Sequence, residues 1–431
     1  MTTMSDLAMD LVGEILSRVP LISLSAVRCT CKSWNALSKH QIFGKAEVAA
    51  TKQFLGFMVM DSRVCSLRFD LQGIRNDGDD FVDPSIEGLQ KSGLKIRNKA
   101  FKKNYGNGLH RKIDRSHIVE IVVPTSIKQI SELNQVEIYD VFHCDGLLLC
   151  VTKDRWRLVL WNPYLGQIRW IQARKQFSSC DMFTLGYDNS NRKIMRFPYV
   201  NVKTACPYLE IYDFKSNSWR VVEFNPPWFL HTRGVSLKGN TYFFAQDLLK
   251  TENDVNVKFE NYLLCFDFTA ERFGPHLPLP FHSYDNEDGA VTLSCVRQEQ
   301  LALLYQNSET IESLEIWITN QIDPNAVSWS MFLKVDIEPL TGFPKNFDPG
   351  SFFIDEEKKV AVVSEDEYLY RTNETCRYQT LYIIGEDGYF KSFKIRCSDS
   401  PEFSSYAPSL VHIQTNQQGK RKRKRKNKRR N

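Results

Sequence analysis

The sequence lacks several things that would have given it a chemistry. No apolar run approaches the roughly 18 residues a membrane span requires. Asp6, Asp10 and Glu14 interrupt the N-terminal stretch where a secretory leader needs unbroken apolar residues. Eleven cysteines, an odd number without regular spacing, suit reduced thiols in the cytosol or nucleus rather than a disulfide framework. The triplet Asn373-Glu374-Thr375 is then an incidental glycosylation match. Gly106-Asn107-Gly108 has no third glycine and no helical pattern after it, so no phosphate-binding loop is expected. Cys29 and Cys31 stand alone, whereas a zinc site wants C-x2-C spacing and a second pair. Asp77, Asp79, Asp80 and Asp83 lack calcium-loop spacing and read as a solvated loop. His143-Cys144-Asp145 resembles a nucleophile beside a base, but strand neighbours point to opposite faces, and a plain hairpin is expected. No metal, cofactor or catalytic set is therefore expected, and an enzyme is the weakest of the functional classes.

What is present is an ordinary globular balance, 42% hydrophobic and 25% charged, with a high 12% of aromatics. The net charge of +5 is not spread over the chain. Ten cations crowd its end: Lys420, Arg421, Lys422, Arg423, Lys424, Arg425, Lys426, Lys428, Arg429 and Arg430. Without those ten charges the remainder stands at −5. Such a block reads as a nuclear-import signal, with polyanion binding as the other reading, and the expected location is nucleus and cytoplasm. Residues 91–115 hold nine further Lys or Arg around Phe101 and Tyr105. That composition suits either a solvated surface insertion or contact with RNA phosphates and bases.

Three regions differ in pattern, giving α+β by region. Residues 5–45 read as helices. Ser5 or Asp6 can cap a helix in which Met9, Leu11, Val12, Ile15, Leu16 and Val19 share one half of the circumference, opposite Asp10, Glu14, Ser17 and Arg18. Pro20 ends it, Ser23 can cap a second helix with Leu24 and Val27, and a third segment carries Cys31, Trp34 and Leu37. About forty residues of short helices cannot usually build their own core, so these apolar faces need a partner. Residues 414–431 have too few apolar groups to offset the entropy of ordering and are expected to be disordered.

Residues 50–413 repeat. LVLWNPYLGQIRWI, LEIYDFKSNSWRVV, YLLCFDFTAERFGP and LEIWITNQIDPNAVSWSMFLKV each give a strand ending in an aromatic, a polar turn, and a second aromatic entering another strand. Trp161, Tyr212, Phe266 and Trp317 follow one another at 51, 54 and 51 residues, and the pattern continues at a longer interval over 351–395. Lys238-Gly239-Asn240 and Glu386-Asp387-Gly388 mark tight hairpins. A period near fifty with four strands per unit fits the blade of a kelch-like β-propeller, and one large β-sandwich is the rival architecture.

Residues 6–43, DLAMDLVGEILSRVPLISLSAVRCTCKSWNALSKHQIF, resemble the F-box. The shared marks are Asp10-Leu11, Ile15-Leu16, Pro20, Leu24 and Arg28-Cys29-Thr30-Cys31-Lys32-Ser33-Trp34. The family's Leu-Pro opening is Leu7-Ala8 here. The body, through FHCDGLLLC, LVLWNPYLGQIRW, YDFKSNSWR, GVSLKGNTYFFA, CFDFTAERFGP, PNAVSWSMFLKV and GSFFIDEEKKVAVV, is similar to the plant F-box-associated domain, type 1. Together the resemblances span about residues 5–400, with 91–115 unmatched. They imply docking on a Skp-type adaptor, itself bound to a cullin, through Leu7, Leu11, Ile15, Leu16, Pro20, Leu24, Val27, Cys31 and Trp34. The β domain would then hold a target protein, and a separate conjugating enzyme would supply the chemistry. The alternative is a nucleic-acid-associated protein using 91–115 and the tail.

Overall fold

A computed structural model describes residues 54–60, 62–69 and, with interruptions, 133–413. The helical segment 5–45, the insertion 91–115 and the tail 414–431 lie outside the described residues.

The chain opens with the hairpin β1 (Phe54–Met60) and β2 (Arg63–Phe69). Five blades follow. Blade 1 holds β3 (Ile138–Cys144), β4 (Leu147–Thr152), β5 (Arg157–Asn162) and β6 (Gln167–Gln172). Blade 2 holds β7 (Met182–Asp188), β8 (Asn191–Phe197), β9 (Tyr208–Asp213) and β10 (Ser218–Glu223). In blade 3 the first strand is split into β11 (Trp228–Leu230) and β12 (Val235–Leu237), both paired with β13 (Asn240–Asp247), before β14 (Asn261–Asp267) and β15 (Arg272–Leu277). Blade 4 holds β16 (Ala290–Val296), β17 (Gln300–Gln306), β18 (Ser313–Asp323) and β19 (Ala326–Asp336). Blade 5 holds β20 (Pro349–Asp355), β21 (Val360–Glu365), β22 (Arg377–Gly385) and β23 (Phe390–Cys397). Last comes β24 (Phe403–Ser405), which pairs antiparallel with β1, so both ends of the domain share a three-stranded sheet.

Every blade is an antiparallel meander whose first strand is innermost: β3 packs against β7, β7 against β12, β12 against β16, β16 against β20, β20 against β24, and β24 and β1 against β3. The apolar cores sit between neighbouring sheets. Leu149, Leu160 and Ile194 join blades 1 and 2. Ile211, Phe243 and Phe266 join blades 2 and 3, and Leu263, Leu301 and Leu303 join blades 3 and 4. Ile316, Leu333 and Val363 join blades 4 and 5, while Phe57, Leu148 and Trp161 join the shared sheet to blade 1. A sandwich would put one core between two sheets; here each sheet has two partners. The fold is a β-propeller.

The aromatic period has a structural cause. Trp161, Tyr212, Phe266 and Trp317 all fall on the third strand of their blades, where each fills the gap toward a neighbouring sheet. Glycine matters most at Gly186 in β7. A side chain there would run into the Phe268 ring and come within 2.6 Å of the Gly239 carbonyl, so blades 2 and 3 close up only around a bare backbone.

Candidate interaction faces of the ring

Because the innermost strands run the same way round the axis, the connections sort by end. First-to-second and third-to-fourth strand turns lie at one end of the ring, and each spans two to four residues. Second-to-third connections and links between blades lie at the other, reaching thirteen residues over 248–260 and twelve over 278–289 and 337–348.

The short-turn end is tightly built. Asp145-Gly146 (φ 47 and 71) and Lys238-Gly239 (φ 50 and 84) place two residues in the left-handed region, the geometry that follows strand twist in a two-residue hairpin. Arg297-Gln298 does so without glycine (φ 48 and 60). Buried cations tie blades 1 and 2 each to the next blade's outer turn. In blade 1, Arg169 Nη2 donates to Asn217 Oδ1 (2.9 Å) and the Phe214 carbonyl (3.2 Å) of blade 2. In blade 2, Lys193 Nζ donates to the Phe268 carbonyl (2.9 Å) and pairs with Glu271 (2.8 Å) in blade 3.

His143, Cys144 and Asp145 fall at this end, arranged for packing rather than catalysis. Cys144 is buried between blades 1 and 2, while His143 turns the other way onto Tyr406, with ring centres 5.6 Å apart. The Gly146 N–H donates to His143 Nε2 (3.0 Å). Desolvation lowers the imidazole pKa to about 4 and keeps it neutral. Burial, then Asp145, pushes the Cys144 thiol well up, and burial raises Cys295 to about 12. Burial also raises Asp145, against a hydrogen bond with Tyr187 and the charge of Arg192. A thiol held protonated beside a base facing away is not a nucleophile pair.

Both ends of the domain reach this same end. The β1–β2 turn is fixed at the opposite one, where Ile138 N–H donates to the Ser62 carbonyl (2.7 Å) and Lys153 Nζ to Ser62 Oγ (3.1 Å). Phe54, at the far end of β1, therefore starts from the short-turn end. After β24 the chain runs along the β5–β6 turn: Asn162 Nδ2 donates to the carbonyls of Ser409 (3.0 Å) and Val411 (2.8 Å), and Ile413 N–H donates to Gln167 Oε1 (2.8 Å).

The long-loop end presents different chemistry. A bulge in β3 leaves Tyr139 out of register and 44% exposed. Asp140 pairs with Arg233, which sits in the break between β11 and β12. Arg233 also lies over the Phe142 ring, 4.3 Å from its centre. The β4–β5 turn exposes five consecutive residues, Lys153 to Arg157, with Trp156 at 44%. Sequence reasoning missed Tyr139 and Trp156. The signal for Trp156 was there, a tryptophan inside the charged turn KDRWR between two apolar strands; the bulge at Tyr139 had none.

Leu7, Leu11, Ile15, Leu16, Pro20, Leu24, Val27, Cys31 and Trp34, the residues expected from the sequence to dock an adaptor, lie outside the described residues, as do the ten tail cations and Phe101 and Tyr105. Among the described residues no group of three or more His, Cys, Asp or Glu could hold a metal ion, and no helix is long and apolar enough to cross a membrane.

Comparison with known proteins agrees with this architecture. The family model described as F-box associated beta propeller domain matches residues 55–413, and the F-box domain model matches 4–46. An Arabidopsis thaliana F-box protein is 69% identical over 95% of this chain and 98% of its own length. An F-box/kelch-repeat protein of the same plant is 50% identical over 98% and 99%, and another F-box protein 49% over 96% and 100%. With both modules matched in the order the sequence predicts, the chain belongs to the F-box proteins that carry an F-box-associated β-propeller domain.

Proposed function

We propose that this protein is a substrate-recognition adaptor of a Skp–cullin–F-box ubiquitin ligase, a non-catalytic subunit that brings a target protein to the ligase. One observation carries the reading: an F-box match at 4–46 stands directly before a propeller match at 55–413. A short N-terminal F-box match, whose sequence carries an apolar pattern that asks for a partner, is joined to a ring that has a core of its own. That division of labour suits a scaffold joint on one side and a rigid recognition platform on the other. The tail cations 420–430 extend the proposal to nuclear import.

The experiment is capture of a purified Skp-type adaptor by the full chain and by a variant carrying Leu11→Asp and Ile15→Asp. Each substitution buries a carboxylate without a partner, at a cost of several kcal/mol. Wild type is expected to bind and the variant to lose binding while the propeller keeps its melting temperature. A folded variant that still binds sinks the reading.

A further inference from the structure

Resting on the adaptor reading, we propose that the long-loop end of blade 1 is the seat for the target, and that it takes an extended acidic segment of a protein. The surface is built by two stretches stitched together. Ala173 N–H and Gln172 Nε2 both donate to the Trp156 carbonyl (2.9 and 3.1 Å), and Phe177 N–H donates to the Arg155 carbonyl (2.8 Å). Lys153 reaches across to Ser62, joining the β1–β2 turn to the same surface. The exposed cations are Arg63, Lys153, Arg155, Arg157, Arg174 and Lys175, against two exposed carboxylates, Glu137 and Asp154. Arg157 pairs with Asp154 and Arg174 with buried Glu210, so the positive surplus is carried by Arg63, Lys153, Arg155 and Lys175 against Glu137.

Asp154 is already committed. It accepts from Thr152 Oγ1 (2.6 Å), the Trp156 N–H (2.9 Å) and Arg157 Nε (2.8 Å). Partial burial alone would raise its pKa, yet these hydrogen bonds and the Arg157 charge hold it below the ordinary carboxylate value. Its charge serves to lock the turn. Arg155 sits at φ 60, in the left-handed region. The backbone on both sides of Trp156 is thus pinned while the residue stays 44% exposed. A tryptophan carried on a pinned backbone, with Arg155 and Arg157 on either side in the chain, loses little backbone entropy on binding, and aromatic and arginine side chains are the residues that most often anchor protein interfaces.

The charge points to an acidic partner. Trp156 and Tyr139 are the exposed aromatics of blade 1 at this end among the described residues, an anchor pair for a peptide, whereas single-stranded nucleic acid is held by a run of stacking platforms along a groove. The placement agrees with the proposed role, since the chain joins the ring from its F-box side at the opposite end.

The test uses the full chain and a fluorescent random copolymer of glutamate and tyrosine, with polyuridylate RNA as the rival probe. Binding to the copolymer is expected, weakening as salt rises. Trp156→Ala should loosen it by about 30-fold, the loss typical of an interface anchor. Arg155→Glu with Lys175→Glu should abolish it, and Lys238→Glu at the other end should leave it unchanged. All four positions are exposed, so melting temperatures should hold. No copolymer binding by the wild type, or equal binding by the variants, overturns the proposal. So does tighter binding of polyuridylate that the same variants remove. Adaptor capture measured on the same preparations separates failure of this surface from failure of the adaptor reading.

Discussion

At one end of the ring no turn within a blade exceeds four residues, whereas at the other the connections within and between the five blades run to thirteen. The short-turn end spends its side chains inward, with Arg169 and Lys193 bolting one blade to the next. The long-loop end turns Tyr139 and Trp156 out to solvent. A propeller can divide labour this way because its stability comes from cores between sheets, which neither end supplies. Variation is therefore free to gather where the loops are long, and the rigid end is left to carry the chain's attachments.

The largest expected effect breaks this division. Arg196 sits at the long-loop end but is buried, pairing with Asp181 (2.6 Å) and Glu210 (2.8 Å). Arg196→Ala would leave two buried carboxylates undercompensated and should cost about 3–5 kcal/mol in chemical denaturation. A loss under 1 kcal/mol would mean that this end is soft throughout.

Insertions sharpen the comparison directly. Two residues added within 248–260 should lower stability by well under ~0.6 kcal/mol, the cost of doubling a loop. The same two placed between Asp145 and Gly146 disrupt a left-handed two-residue turn and should cost about 1–3 kcal/mol, the scale of backbone strain. Equal melting temperatures for the two insertions would erase the distinction.

A smaller effect comes from His143. Its folded pKa, about 4, lies below the ordinary 6.5, so below pH 6.5 the unfolded chain takes up a proton that the ring refuses. The stabilising contribution is whole above 6.5 and is lost as pH falls toward 4. His143→Gln should flatten that part of the stability–pH curve; an unchanged slope assigns the dependence to other groups.

The smallest stability change is expected from cutting the chain after Asn416. Ile413 keeps its hydrogen bond to Gln167 and its place in the core between blades 1 and 2, so the melting temperature should stay put while nuclear enrichment falls in imaging. Unaltered localisation refutes the import proposal.

Much of the ring was legible in the sequence, because its third strands repeat the same task of filling the gap to a neighbouring sheet. Lys238-Gly239 and Glu386-Gly388 turn where their residues require, the latter through a single 3-10 turn. The Arg297-Gln298 turn was less legible, since its left-handed residues carry side chains. Neither Arg169 nor Lys193 announced its burial, because the acceptors lie in the adjacent blade and no local pattern encodes them. The shared sheet was invisible for the same reason: β1 meets β24 across the whole length of the domain.

That shared sheet sets an order on biosynthesis. β24 is the last strand of the ring to leave the ribosome, so β1 waits as an open edge, with Met58 uncovered, while all five blades are made. An unpaired edge is a template for wrong pairing, and incomplete chains are prone to aggregate. A nascent chain of this protein is thus an open arc for most of its synthesis. Co-translational chaperones would meet it in that form, and a chain halted before Phe403 should be cleared as a misfolded protein, whatever its F-box could still bind.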